Sequence, residues 1–154
     1  MKTRNIRHLP VFLEARGEVI ATVQKAVIGD DFELLYLVVE TKDGKEGIIY
    51  RQDFVLSADS VLIYDLNSIK SYAHGEELSM VNKKIGDRIF NHQGRELGNV
   101  SDFVVNPSNK NVEAVEISSG TLVDLLHGRQ QVPLEQIVWA SDLSAVVQEE
   151  RSES

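Results

Sequence analysis

The chain of 154 residues contains no cysteine, and this absence excludes disulfide bonds, thiolate metal sites and cysteine nucleophiles. It also lacks any uncharged apolar run of about 18 residues, the length that a membrane-spanning helix needs. The basic N-terminal residues are not followed by an apolar stretch of signal-peptide length. We therefore expect a cytoplasmic protein without a membrane span.

Positive charge is scarce in this chain. Sixteen Lys and Arg residues stand against 24 Asp and Glu residues, which gives a net charge of −8. Proteins that bind nucleic acid non-specifically neutralise its phosphates with Lys and Arg, so we expect no direct contact with DNA or RNA. The acidity leaves a basic protein partner open. Hydrophobic residues make up 42% of the chain, enough to form a packed core in one ordinary domain or two small ones.

The apolar pattern and the turn positions of the first half recur in the second half. The alignment has an offset of 77 positions, which becomes 83 farther along the chain. The aligned pairs are Gly17/Gly94, Val23/Val100 and Val38/Val115 at the first offset, and Phe54/Ile137, Leu56/Trp139 and Ile63/Val146 at the second. The change of offset indicates an insertion between Ser118 and Gln131. Internal repetition of this kind predicts two copies of one structural unit.

The repeated unit has the periodicity of β-strands. In "EVIATVQKAVI" (residues 18–28), Val19, Ala21, Val23 and Lys25 alternate with the side chains of the opposite face. Further short apolar runs, such as "FELLYLVVE", "EGIIY" and "SVLIYD", are separated by turn-forming residues. The pattern predicts a mainly β fold, either small barrels or a sandwich. Only "SYAHGEEL" and "PLEQI", which begins at Pro133, indicate minor helical turns.

The stretch "NHQGRELGNVSDFVV" (residues 91–105) combines a turn with a long strand. Gly94 supplies a turn position with positive φ, and Gly98 lies inside the strand, which predicts a bulge or a close approach of backbones. Asp102 has two interpretations, as a ligand or as a side chain that caps or hydrogen-bonds a loop. We favour the structural interpretation, because the aligned residue of the first half is Lys25.

These residues resemble the PRC-barrel family, which takes its name from the photosynthetic reaction centre H subunit. The resemblance rests on "KKIGDRIFNHQGRELGNVSDFVVNPSNKNVEAVEIS" and "RQQVPLEQIVWASDLSAVV". The positions that match the family pattern are Gly98, Val100, Asp102, Pro133 and Ile137. The first half matches in pattern but has Lys25 and Tyr50 where the family has the Asp and the Pro.

The resemblance implies two tandem, small and strongly bent β-barrels. We expect the divergent first copy over residues 1–66, a linker over 67–80, the second copy over 81–148 and a disordered tail over 149–154. The family has no shared enzymatic chemistry, and its members resemble docking modules, so the resemblance implies a non-enzymatic adaptor.

Residues that could carry chemistry do not cluster in the sequence. His8, His74, His92 and His127 lack the spacing of a zinc site and fall in predicted turns, linkers or the N-terminal segment. Adjacent carboxylates lie in loops or the tail, and no phosphate-binding glycine motif is present. We therefore expect no catalytic residues, no metal and no cofactor. Trp139 is interpreted as core or inter-barrel packing rather than as a platform for a ligand.

The insertion "SGTLVDLLHGRQQ" is the most informative stretch for binding. Its large apolar residues should be buried, since full burial is worth about 1.5–3 kcal/mol for each side chain. There are three alternatives for these residues: they are buried within the chain, against a second copy of the chain or against a partner. The predicted partner-binding residues are Leu122, Val123, Leu125, Leu126 and His127.

The main functional hypothesis is a tandem PRC-barrel module that docks onto another protein, with a homo-oligomer as one form of such docking. A second hypothesis is a ribosome- or RNA-processing-associated accessory factor that acts through a basic ribosomal protein. A third is a small-ligand binder with its pocket between the two barrels.

Overall fold

The fold is mainly β, with two sheets, one of which curls into a half-barrel. It is seen in a computed structural model that describes residues 1–71, 80–120, 124, 126, 128–139 and 144–147. None of the helices in these residues is long and apolar enough to cross a membrane. The predicted tail, residues 149–154, lies outside the described residues.

The first sheet has seven strands. A short helix, α1 (Thr3–Ile6), precedes it. The strands are β1 (Pro10–Leu13), β2 (Glu18–Ile28), β3 (Leu34–Thr41), β4 (Glu46–Tyr50), β5 (Val55–Leu56), β6 (Val61–Ile63) and β7 (Lys70–Ser71). Two 3-10 turns, Arg51–Asp53 and Leu66–Ser68, precede β5 and β7.

The second sheet has six strands and is preceded by α2 (Met80–Lys84). The strands are β8 (Arg88–Asn91), β9 (Glu96–Val105), β10 (Val112–Ser118), β11 (Gln130–Pro133), β12 (Ile137–Trp139) and β13 (Ser144–Val147). A 3-10 turn, Leu134–Gln136, connects β11 with β12, and Pro133 lies immediately before it. The single helical turn in "PLEQI" therefore forms where the sequence predicts it.

The two sheets share one strand order. The first sheet runs β5-β6-β1-β2-β3-β4 with β7 added at the end, and the second runs β12-β13-β8-β9-β10-β11. In each sheet the first strand along the chain pairs in parallel with the sixth, β1 with β6 and β8 with β13, whereas the remaining pairs are antiparallel. Each long second strand, β2 or β9, is bulged against its neighbours on both sides.

The strand pairing corrects the aligned pairs of the sequence at two places. Lys25 pairs with Val38 and Asp102 pairs with Glu116, so the counterpart of Val38 is Glu116 and not Val115. The reason is that the connection between β9 and β10 is one residue longer than that between β2 and β3. Five residues separate the paired residues Trp139 and Ala145, whereas four separate the equivalent pair Leu56 and Val61. Val147, not Val146, is therefore the counterpart of Ile63.

The predicted alternation of β2 is wrong at its centre. Ala21 and Val23 point into the core as expected, but a bulge between Val23 and Lys25 interrupts the period of two. After the bulge Ala26 and Ile28 enter the core, and Lys25 leaves the face that the sequence assigned to it. A bulge adds one residue to one strand, so every later side chain changes face.

The predicted linker is also shorter than expected. Residues 67–71, assigned to the linker by sequence, belong to the second 3-10 turn, which begins at Leu66, and to β7, which pairs with β4. Ile69 packs against the core from this segment. Met80 begins α2, and the "SYAHGEEL" segment lies outside the described residues apart from Ser71.

The two sheets bury one common hydrophobic core, which contains residues of both halves. Aromatic rings join the sheets within it. Phe32, which lies between β2 and β3, stacks on Trp139 of β12 with 5.6 Å between the ring centroids and meets Phe103 of β9 edge-on at 5.7 Å. Trp139 thus packs between the two halves, as its size and the sequence predicted.

A second contact between the halves has approximate two-fold symmetry. The amide of Leu34 donates a hydrogen bond to the carbonyl of Lys110, and the amide of Val112 donates one to the carbonyl of Phe32. Phe32 and Lys110 both have left-handed backbones, with φ of 57° and 61°. Exchange of the two halves, with a shift of 78 positions, turns each hydrogen bond into the other. This reciprocity is the signature of an isologous contact.

The short helices cross between the halves in the same reciprocal way. Helix α1, which leads into the first sheet, packs on β9 of the second, and α2, which leads into the second sheet, packs on β2 of the first. After each helix the chain turns at a residue with positive φ, which is His8 after α1 and Gly86 after α2. The amides of these two residues donate to the carbonyls of Val23 and Val100, at 2.8 Å in both cases.

Gly98 gives a first testable prediction. Its φ is +144°, and a Cβ atom there would overlap the carbonyl oxygen of Ser118 on the neighbouring strand. Gly94 has a φ of +81° but open space around it. We expect Gly98→Ala to lower the free energy of unfolding by roughly 3 kcal/mol, from overlap and strain together, and Gly94→Ala by about 1 kcal/mol, from strain alone. Urea unfolding of both variants checks this, and equal losses would contradict it.

Candidate functional site: the cleft between the two halves

A fully buried carboxylate, Glu116 of β10, lies at the centre of the contact between the halves. The guanidinium of Arg4 donates two hydrogen bonds to it, at 2.7 and 3.0 Å, and the ammonium of Lys2 lies 2.7 Å away. The Ser101 hydroxyl donates at 2.7 Å and Arg129 at 3.1 Å. A buried charge is tolerated only when it is paired and hydrogen-bonded in this way.

The pKa of Glu116 reflects two opposing causes. Burial alone would raise it, since burial disfavours the charged form. The hydrogen bonds from Arg4, Lys2, Ser101 and Arg129 outweigh burial and hold the pKa well below the ordinary value of 4.5. Glu116 is therefore an anion at all physiological pH values, and it fixes three cations around itself.

Asp102 of β9 lies beside Glu116 and is also buried. It accepts hydrogen bonds from the Thr3 hydroxyl, from the Arg4 amide at 3.1 Å and from the Phe103 amide at 2.7 Å. The carboxylate thus satisfies one of the unpaired amides in the first turn of α1, that of Arg4. This is the structural role that the sequence favoured, and the segment that Asp102 binds belongs to the other half of the chain.

A cavity of about 390 Å³ opens next to these carboxylates, between the short helices and the bulges of β2 and β9. Its size falls within the range of small-molecule sites. Both halves contribute to its wall. The lining residues are Thr3, Arg4, Arg7, Gln24, Lys25 and Ala26 from the first half, and Asn82, Ile85, Ser101, Asp102 and Arg129 from the second.

The lining residues correspond across the approximate two-fold relation, but their charges do not. The equivalent pairs are Arg4/Asn82, Arg7/Ile85, Gln24/Ser101 and Lys25/Asp102. The first half therefore supplies three cations, whereas the second half supplies an amide, an apolar side chain, a hydroxyl and one carboxylate. Arg129, which ends the insertion, adds a fourth cation from outside the repeated pattern.

Two of the four cations have no partner within the described part of the chain. Arg4 and Arg129 bind Glu116, but the side chains of Arg7 and Lys25 form no hydrogen bond or ion pair with any described residue. Neither residue was predicted from the sequence to belong to a site. The signals that could have found them are the basic N-terminal segment and Lys25, which stands where the second half has Asp102.

The insertion is anchored at its base. Asp124 accepts hydrogen bonds from the Ser118 hydroxyl at 2.6 Å and from the Ser119 amide at 3.0 Å, and Arg129 lies 3.4 Å from its carboxylate. Leu126 nevertheless has 69% of its surface exposed, so of the alternatives for its burial, this side chain does not follow burial within the chain. The other predicted binding residues, Leu122, Val123, Leu125 and His127, lie outside the described residues.

The histidines do not join the site. His8 and His92 are exposed, and His74 and His127 lie outside the described residues. Within the part of the chain that the structure describes, no three His, Asp or Glu side chains come together as a metal site would require.

Comparison with protein families gives one match. Residues 79–148, which contain α2 and the whole second sheet, match the family model of the PRC-barrel domain. This half of the chain is a PRC-barrel domain. No curated protein matches the chain. Within the PRC-barrel domain, Gly94 forms the turn between β8 and β9, Gly98 allows the close approach to β10, and Pro133 ends β11.

The buried carboxylate gives a second prediction. Because the pKa of Glu116 is lower in the folded than in the unfolded chain, its contribution to stability is complete above pH 4.5 and declines as the pH falls below that value. We expect Glu116→Gln to lower the free energy of unfolding at pH 7 by roughly 2–4 kcal/mol, since the three cations lose their counter-charge.

Denaturant unfolding between pH 7 and pH 3 measures both effects. The Glu116→Gln variant should lose less stability than the wild type over the acidic part of this range. Glu113→Gln is the matched control, because Glu113 lies on the same strand but is exposed. Parallel pH profiles for wild type and Glu116→Gln would contradict the prediction.

Proposed function

We propose that the chain is a non-enzymatic docking module built from two PRC-barrel units. The second unit is the matched domain, and the first comprises residues 1–71. Support for a related first unit comes from the common strand order, the parallel pairing of the first and sixth strands, and the equivalent leading helices. The two sheets share one core, which suits a module that presents a surface to a partner.

The observation that carries the docking proposal is the exposure of Leu126. It is the most exposed large apolar side chain among the described residues, at 69%. Its segment is absent from the first half, where β3 and β4 are joined by the tight turn around Gly44. Single apolar residues on a surface are common, but the sequence of this segment holds three further large apolar residues, Leu122, Val123 and Leu125, and contiguous apolar surface is typical of interaction sites.

The base of the insertion supports the same proposal. Ser118, Ser119 and Arg129 hold Asp124 in place, and Arg129 also binds the buried Glu116. Contacts at the base restrict the segment before any partner arrives. Preorganisation of this kind strengthens binding, because less conformational entropy is lost on association.

A second candidate function is the binding of a small ligand between the two units. The cavity favours it, since the cavity has a suitable volume and polar side chains converge on it from both halves.

The docking proposal predicts that Leu126→Ser abolishes the capture of one stoichiometric partner from the lysate of the source organism. Leu66→Ser is the matched control, because Leu66 is also an exposed leucine, at 44%, but lies in the first half. The interaction is then rebuilt from purified components and measured by calorimetry. We expect at least a tenfold loss of affinity for Leu126→Ser, about 1.4 kcal/mol, and none for Leu66→Ser.

The outcome also separates the alternatives. A basic ribosomal protein as the partner would support the ribosome-associated hypothesis, and a second copy of the chain would support self-association. Capture that is equal for wild type and Leu126→Ser would contradict docking through the insertion.

A further inference from the structure

We infer that the cavity between the two halves binds a small oxyanion, a phosphate or carboxylate group, through Arg7 and Lys25. The inference rests on the second candidate function and is independent of docking through the insertion. It names a ligand class and two recognising side chains on the wall of the cavity.

The lining of the cavity is positively charged, in contrast to the protein as a whole. The protein carries a net charge of −8, yet four of the residues that line this cavity are cations and one is a carboxylate. Glu116, behind the wall, offsets Arg4 and Arg129, and the carboxylate of Asp102 is itself bound by Thr3 and Arg4.

The two remaining cations are the second argument. Arg7 follows α1, and Lys25 follows the bulge of β2, so two different elements direct a cation to one cavity. Neither side chain is paired with another described residue. Lys25 is half-buried. A cleft with low-dielectric walls strengthens the field of such charges, and the planar guanidinium of arginine matches the geometry of phosphate and carboxylate groups.

Neutral hydrogen-bonding groups complete the cavity. Gln24, Ser101 and Asn82 line it together with the two cations. The amides of Gln24 and Asn82 can donate to the remaining oxygens of an anion, and the Ser101 hydroxyl, whose proton is directed at Glu116, can accept from hydroxyl groups of the molecule that carries it. A volume of about 390 Å³ accommodates a small molecule, and its open mouth also accepts an anionic group attached to a larger one.

The experiment titrates the full chain with inorganic phosphate and, separately, with citrate, by calorimetry at constant ionic strength set with chloride. The site variant is Arg7→Gln/Lys25→Gln. The matched control is Lys42→Gln/Arg95→Gln, which removes the same charge from two exposed positions outside the cavity. We expect saturable binding by the wild type, at least tenfold weaker binding by the site variant, and a change of less than about twofold in the control.

Each outcome decides the inference. Absence of saturable binding of both probes to the wild type would overturn it, and so would equal weakening in the site variant and the control, because that would reflect net charge alone. Circular dichroism verifies that the site variant is folded. A phosphoserine peptide that binds more tightly than inorganic phosphate would assign the oxyanion to a larger partner, and weaker binding of the peptide would assign it to a free small molecule.

Leu126→Ser separates this inference from the docking proposal. The variant should bind phosphate as the wild type does, since Leu126 does not line the cavity. Loss of partner capture with phosphate binding retained would therefore support both proposals. Loss of phosphate binding in Leu126→Ser would contradict the independence of the two sites.

Discussion

The buried carboxylate of Glu116 is the constraint on which the arrangement of the chain depends. A charge at a fully buried position is stable only with partners around it, and those partners come from distant parts of the sequence. Arg4 lies 112 positions away and carries the N-terminal segment onto the second sheet. Arg129 carries the end of the insertion to the same point. One side chain thereby joins three segments, and the cavity opens beside it because their cations converge there.

The approximate two-fold relation between the halves separates the contacts that both halves share from the positions, such as Glu116, at which they differ. Contacts between equivalent segments of the two halves, such as the hydrogen bonds that the carbonyls of Phe32 and Lys110 accept, occur as reciprocal pairs, because each segment serves both halves. Positions near it have diverged in charge. Glu116 corresponds to Val38, which packs in a small apolar cluster with Val27, Tyr36 and Ile48. The halves therefore share a backbone arrangement but present different chemistry to their common cleft.

Local features of the fold were predictable from the sequence, and long-range ones were not. The turn at Gly94, the close approach at Gly98 and the single turn after Pro133 follow from backbone preferences of single residues. The bulge before Lys25 could not be predicted, because alternation in a sequence does not reveal where the pairing register slips. The binding of Arg4 to Glu116 was equally hidden, since nothing local in either segment specifies a contact between the two halves.

The insertion and the cavity are different surfaces, but one side chain belongs to both. Arg129 lines the cavity, binds the buried Glu116 and contacts Asp124 at the base of the insertion. Its position follows from Glu116, because an arginine beside a buried carboxylate has less freedom than one in solvent. The same buried charge thus fixes the arginine that contacts the base of the insertion and lines the cavity. The proposed docking surface and the proposed ligand site would therefore share a structural cause in Glu116.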